Sequence, residues 1–214
     1  MIKGVIFDWD GVVLNSAAAH ERSWAMLAAE ESLPLPEDHF KRGFGRKNAE
    51  IIPSILGWSR ENAEIQRLGD RKEALYREIL LAGGVQPLPG VREFLAQLDL
   101  LKMPRAVGSS TPRANIDAAL TAMDLTGRFD AIVCADDVTK GKPDPEVFLT
   151  AAARLEVEPA HCMVLEDATF GLQAAKAAGM LAVGVTTGHT PDVLREAGAE
   201  LVVDHLDELD VVKF

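Results

Sequence analysis

Four carboxylates, two hydroxyls and a lysine fall where one ligand could meet them all. Asp8 and Asp10 stand in Asp8-Trp9-Asp10-Gly11, directly after the apolar run 5–7. Ser109 and Ser110, with Thr111, follow the run 106–107, and Lys142 lies with Asp136, Asp137 and Lys140 in the loop after 131–133. Glu166 and Asp167 follow the run 163–165. Four acids meeting in one place repel each other unless a cation sits among them. An oxygen-only set with no nearby Cys or His suits Mg²⁺, which takes few carboxylates and keeps several waters. Metal, lysine, hydroxyls and the free N–H groups of helix starts together hold a phosphoryl group. The expected ligand is therefore a small-molecule phosphate ester. Singly, each piece has a plainer role. Asp8 and Asp10 could cap a turn, the hydroxyls a helix, Lys142 could be a solvated loop lysine, and Glu166-Asp167 could favour the positive end of a helix dipole. Their conjunction at the ends of successive apolar runs carries the reading.

Those runs have to be the elements that position the groups. Six short stretches rich in Val and Ile, at 5–7, 106–107, 131–133, 163–165, 182–185 and 201–203, are continuous and not alternating. That is the pattern of parallel strands covered by helices on both faces. Between them, Thr111-Pro112 and Asp144-Pro145 read as helix starts, an N-cap followed by proline. Another helix, 169–178, is expected to stop at Gly179. The chain is predicted to be an α/β protein, a Rossmann-like doubly wound parallel sheet, whose ligands bind at the carboxyl ends of the strands. Residues 16–86 break the alternation, with helical patterns at 17–31, 37–41, 49–56 and 60–81 closed by Gly83-Gly84. Seventy residues without a strand are too long for a crossover. They are predicted to form an inserted all-helical cap domain (16–86) in a catalytic core of 1–15 and 87–214. The formal charge of −11 counts against nucleic acid or an anionic membrane as partner. Nearly all of it sits in the core, since 16–86 carries only −1. Cys134 and Cys162 lie in apolar runs and read as buried free thiols of a cytoplasmic protein, expected to be a monomer.

The residues also carry a family resemblance. FDWDGVV, VGSSTPR, KGKPDPEVF and VLEDATFGLQAAKAAGM are similar, in that order, to the four motifs of the haloacid dehalogenase superfamily of Mg²⁺-dependent phosphotransferases. The inserted helical block resembles the branch that includes sugar-phosphate phosphatases and β-phosphoglucomutase. The resemblance implies that Asp8 is a nucleophile that forms an aspartyl phosphate, and that Asp10 is general acid and then base. It implies Mg²⁺ held by Asp8, Asp167 and the backbone carbonyl of Asp10, with Glu166 binding the metal directly or through water. Ser109 and the N–H of Ser110 would hold phosphoryl oxygens, and Lys142 would bridge Asp8 and the phosphate. Val12, Asn15 and Ala17 depart from residues common after the first motif. The retained Asp10 sets the chain apart from haloacid dehalogenases proper and from phosphonoacetaldehyde hydrolases, so Lys47 is not expected to form a Schiff base.

Within the cap, His20, in AHERSW, resembles a hinge histidine of that branch, Arg46, in GFGRKN, a distal-phosphate arginine, and Lys72, in DRKEALY, a cap lysine. The plain alternatives are a packed His20, a solvated Arg46 and a structural ion pair for Lys72. Three functions stay open: a phosphatase acting on a sugar phosphate, which is preferred, a phosphohexomutase, and a catalytically silent phosphometabolite binder.

Overall fold

The computed structural model describes every residue of 1–214 except Phe44, Gly45 and Gly84, so the expected closure at Gly84 lies outside the described residues. The chain divides into two compact units, Met1–Asn15 with Gln86–Phe214, and Ser16–Val85.

The first unit is built on six parallel strands in the order β3-β2-β1-β4-β5-β6: β1 Gly4–Phe7, β2 Arg105–Gly108, β3 Ala131–Val133, β4 Cys162–Glu166, β5 Leu181–Val185 and β6 Leu201–Val203. All six apolar runs are strands, and the expected α/β architecture is borne out. β1 pairs with β2 on one side (Ile6 opposite Ala106) and with β4 on the other (Ile6 opposite Val164). Successive residues of β1 enter different layers. Phe7 meets Phe94 and Phe129, with ring centroids 5.8 and 5.3 Å away. Ile6 joins the buried cluster of Ala106, Phe148, Val164, Leu172 and Leu194 on the opposite face. The strands are apolar but for Arg105 at the start of β2 and Glu166 at the end of β4, because both faces are covered.

The helices of this unit, given numbers that follow the four of the inserted unit, are α5 Val91–Leu100, α6 Arg113–Ala122, α7 Glu146–Arg154, α8 Thr169–Ala177 and α9 Pro191–Ala197. Their starts refine the sequence reading. Pro112, not Thr111, caps α6, and the first N–H of the helix, that of Arg113, donates to Asp136 Oδ2 (3.1 Å) and not to a capping side chain. Asp144 Oδ1 does accept the Glu146 N–H (3.1 Å) at the start of α7. Gly179, at φ 72°, follows α8 as expected.

The inserted unit carries α1 Ala17–Glu31, α2 His39–Gly43, α3 Asn48–Ile51 and α4 Asn62–Gly83. The helix expected over 49–56 is in two parts. After Ile51 the chain widens into a π-helical stretch, Ile52–Leu56, around Pro53, which has no N–H to give an α-helical ladder. Trp24, Leu27, Ile51, Ile52, Leu68 and Leu75 form this unit's own core, and Trp58 anchors beside it through Nε1 to Pro34 O (2.7 Å).

Candidate active site

Strand ends bring Asp8, Glu166 and Asp167 together. All three are buried, and each offers an oxygen within 4.8 Å of the others. The Asp8 N–H donates to Leu165 O (2.9 Å), which ties the loop after β1 to β4. Lys142, whose peptide bond to Pro143 is cis, reaches in from the loop after β3. Its ammonium donates to Asp8 Oδ1 and to Glu166 Oε1, both at 2.7 Å, and lies over the Phe148 ring. The second Glu166 oxygen accepts the Ala168 N–H at 2.7 Å, so protein donors hold both oxygens of that carboxylate. Gly171 leaves Glu166 its room, because a Cβ there would stand 1.6 Å from Oε1.

One lysine does not balance this much acid. Burial first, then the charges of Glu166 and Asp8, push the Asp167 carboxyl well above the usual carboxylate range. Burial likewise raises Glu166, with Lys142 pulling the other way. Burial alone would lower the Lys142 ammonium; Asp8 and Glu166 outweigh it and hold the value above lysine's ordinary one. The site thus favours added positive charge. Its donors are all oxygen, and Asp167 Oδ2 sits in a cradle where a Cβ at Gly11 or Gly188 would come within 2.0 or 2.6 Å. Gly11 also lies at φ 79°, a conformation other residues reach only with strain. A hard divalent cation fits these residues.

Asp10, two residues after Asp8, is held by a short hydrogen bond from the Thr111 hydroxyl to its Oδ2. Ser109 follows β2, and its Oγ accepts the Thr111 N–H at 3.0 Å, which leaves the Ser109 proton for another acceptor. The Ser110 N–H has no acceptor among the described residues.

The three expected residues of the inserted unit are not one group. Lys72 is buried, donating to Glu73 Oε1 (2.9 Å) and bonded to His20 Nδ1 (2.6 Å). His20 stacks on Tyr76 at 3.9 Å and is pushed down to about 3, first by burial and then by Lys72. It is therefore neutral at pH 7, and its Nδ1 accepts from the ammonium. Asn48 Nδ2 donates to the same Glu73 oxygen at 2.7 Å. Arg46 is exposed, between α2 and α3.

Sequence reasoning assigned Thr111 to a helix cap and missed its bond to Asp10. It also passed over the loop after β5, where the Thr187 hydroxyl makes a short hydrogen bond to Gly11 O and His189 Nδ1 lies 3.0 Å from Asp167 O. The rule about carboxyl ends of strands applies to β5 as well, and was the available signal.

Comparison with known proteins places these features in context. A family model described as haloacid dehalogenase-like hydrolase matches residues 2–179. The chain is 36% identical over 212 residues to the chloroplastic 5-amino-6-(5-phospho-D-ribitylamino)uracil phosphatase of Arabidopsis thaliana, covering 98% of this chain and 56% of that protein. It therefore spans little more than half of the plant phosphatase. It is 38% identical over 216 residues to β-phosphoglucomutase of Bacillus subtilis (strain 168), covering 97% of this chain and 92% of the relative. The crystal structure of β-phosphoglucomutase from Clostridium difficile aligns with a TM-score of 0.83 at 28% identity, covering 98% of this chain and 94% of that one.

Proposed function

The chain belongs to the haloacid dehalogenase-like hydrolases and is an enzyme of their phosphatase and phosphohexomutase kind, and from that premise we propose that it is a Mg²⁺-dependent phosphatase of a small sugar phosphate, working through an aspartyl phosphate. The observation that carries this reading is the buried group of Asp8, Glu166 and Asp167 with Lys142 between Asp8 and Glu166, two residues from an Asp10 held by a hydroxyl.

Lys142 and Thr111 fix the two working carboxylates before substrate arrives. An Asp8 oxygen attacks phosphorus, an O–P bond forms and the ester P–O bond breaks. Asp10 gives its proton to the departing alkoxide, which leaves as the alcohol. Asp10, now a carboxylate, takes a proton from water as that water attacks phosphorus, and inorganic phosphate leaves with Asp8 restored. Lys142 offsets the charge gathering on Asp8 and the phosphoryl oxygens, while Ser109 and the Ser110 N–H donate to those oxygens. Asp8, Asp167 and the Asp10 carbonyl would hold Mg²⁺, with Glu166 anchoring Lys142 beside it. The ion's chemistry is to neutralise the dianionic phosphate that a carboxylate must approach. In the inserted unit, exposed Arg46 is the residue suited to a second anionic group of the substrate, whereas Lys72 and His20 are bound to each other. The two buried, unpaired cysteines suit a reducing cytoplasm, and the enzyme is taken to act as a monomer.

The second reading is a phosphohexomutase, in which a sugar hydroxyl takes the phosphoryl group in place of water. It is favoured by the 38% identity to the Bacillus enzyme over nearly the whole chain. Phosphorus NMR with Mg²⁺, β-glucose 1-phosphate and a trace of glucose 1,6-bisphosphate, beside a panel of phosphate esters, separates the two. Inorganic phosphate is expected; glucose 6-phosphate without net phosphate would establish the mutase. Turnover of neither kind on any ester, or full activity in Asp8→Asn, would overturn both.

A further inference from the structure

The loop after β5 is tied to both halves of the carboxylate group. Thr186 anchors its start, with its N–H on Val203 O (3.1 Å) and its hydroxyl on Asp204 Oδ1 (2.6 Å). From there it reaches past the end of β4 to the turn after β1, where the Thr187 hydroxyl bonds to Gly11 O. His189 Nδ1 lies 3.0 Å from the backbone oxygen of Asp167. A carbonyl only accepts, so the ring carries its proton on Nδ1. Between these two tethers, Gly188 packs against Asp167 so closely that a Cβ would meet Oδ2 at 2.6 Å. Gly11, the residue gripped by Thr187, borders the same oxygen. The loop therefore touches Asp167 at its main chain and its carboxylate, and fixes the turn that faces it.

We propose that residues 186–189 are a clamp that sets the position of Asp167 for the cation, with His189 and Thr187 as positioning residues. The inference rests on the reading of Asp167 as a cation ligand. Mg²⁺ demands near-ideal geometry, so a ligand free to shift by a few tenths of an ångström binds it less well. Partners that orient a ligand commonly hold tenfold or more in metal affinity. Neither residue has to touch substrate for this role.

The test is calorimetric binding of Mg²⁺ and Mn²⁺ to the full chain, with thermal unfolding in EDTA alongside. His189→Ala and Thr187→Val are each expected to raise the metal Kd about tenfold and to leave the midpoint in EDTA unchanged. His189→Asn keeps an N–H at the Nδ1 position and Thr187→Ser keeps the hydroxyl, so both are expected to restore binding. Asp167→Asn is the reference for loss of the site. If it binds metal like the wild type, the cation reading fails and the clamp with it. If it loses metal while His189→Ala and Thr187→Val do not, the clamp alone is wrong. A lowered midpoint in EDTA with unchanged metal affinity would reduce the loop to a structural tie.

Discussion

Lys142 is the residue on which the buried carboxylates depend. Its side chain is 10% exposed, and it makes two 2.7 Å bonds to acids that, among the described residues, pair with no other cationic side chain. Removing one partner of a buried pair leaves its charge uncompensated. Lys142→Met is therefore expected to lower the stability of the metal-free protein by about 3 kcal/mol. Urea unfolding measures this; a loss below about 0.5 kcal/mol, the range of ordinary surface substitutions, would mean that Asp8 and Glu166 do not need the lysine. Thr111 offers a subtler case. Its hydroxyl bonds to an acid that must give and take a proton, and a hydrogen bond to a charged group is worth roughly 1.5–3 kcal/mol. Thr111→Val is expected to cut kcat about tenfold with KM little changed, and Thr111→Ser to recover it. Loss in Thr111→Ser with Thr111→Val unaffected would show that the γ-methyl packing, and not the hydroxyl, is what matters.

At the scale of elements, what was legible in the sequence is what short-range chemistry determines. β1 was readable because residues 5–7 are apolar on both faces, and α1 because 17–31 is rich in alanine with no proline to interrupt it. Asp8, Glu166 and Asp167 were readable because strand ends in an open sheet are forced to converge. Pro53, Thr111 and the burial of Lys72 were not, although a structural ion pair was one of the two readings of that lysine. Pro53 turns one expected helix into two because a missing N–H can be absorbed by a wider turn. Thr111 sits before a proline like a cap, yet its partner is Asp10, a hundred residues away in sequence. Lys72 lies in a charged stretch but points inward, since Glu73, His20 and the Trp24 and Tyr76 rings offer it more than water does. Lys72→Met is expected to destabilise the chain by about 3 kcal/mol, while Lys72→Met/Glu73→Met recovers most of that in thermal unfolding. If the double variant is no better than the single one, an uncompensated Glu73 is not the source of the loss.

For the whole molecule, the raised carboxyl of Asp167 couples folding to pH and to metal. In the unfolded chain it ionises in the ordinary carboxylate range; in the folded, metal-free chain burial and its acidic neighbours keep the proton to higher pH. Across that interval the folded state binds more protons, so stability falls as pH rises. The unfolding midpoint in EDTA is expected to drop from pH 5 towards pH 9, and saturating Mg²⁺ to flatten the slope by replacing the proton. Proton release on metal binding at pH 7, measured in buffers of different ionisation heat, checks the same linkage. A pH-independent midpoint in EDTA would mean that the site carries no excess acid. Another feature has its consequence at this scale. The Leu88 N–H donates to Val13 O at 2.9 Å, so the chain leaves the sheet-bearing unit and returns to it through neighbouring backbone. A segment joined by two adjacent seams can be exchanged like a cassette without rerouting any strand. Helical blocks of relatives grafted between Asn15 and Gln86 are then expected to leave the six-stranded unit folded, a break-point at which one frame can carry different insertions.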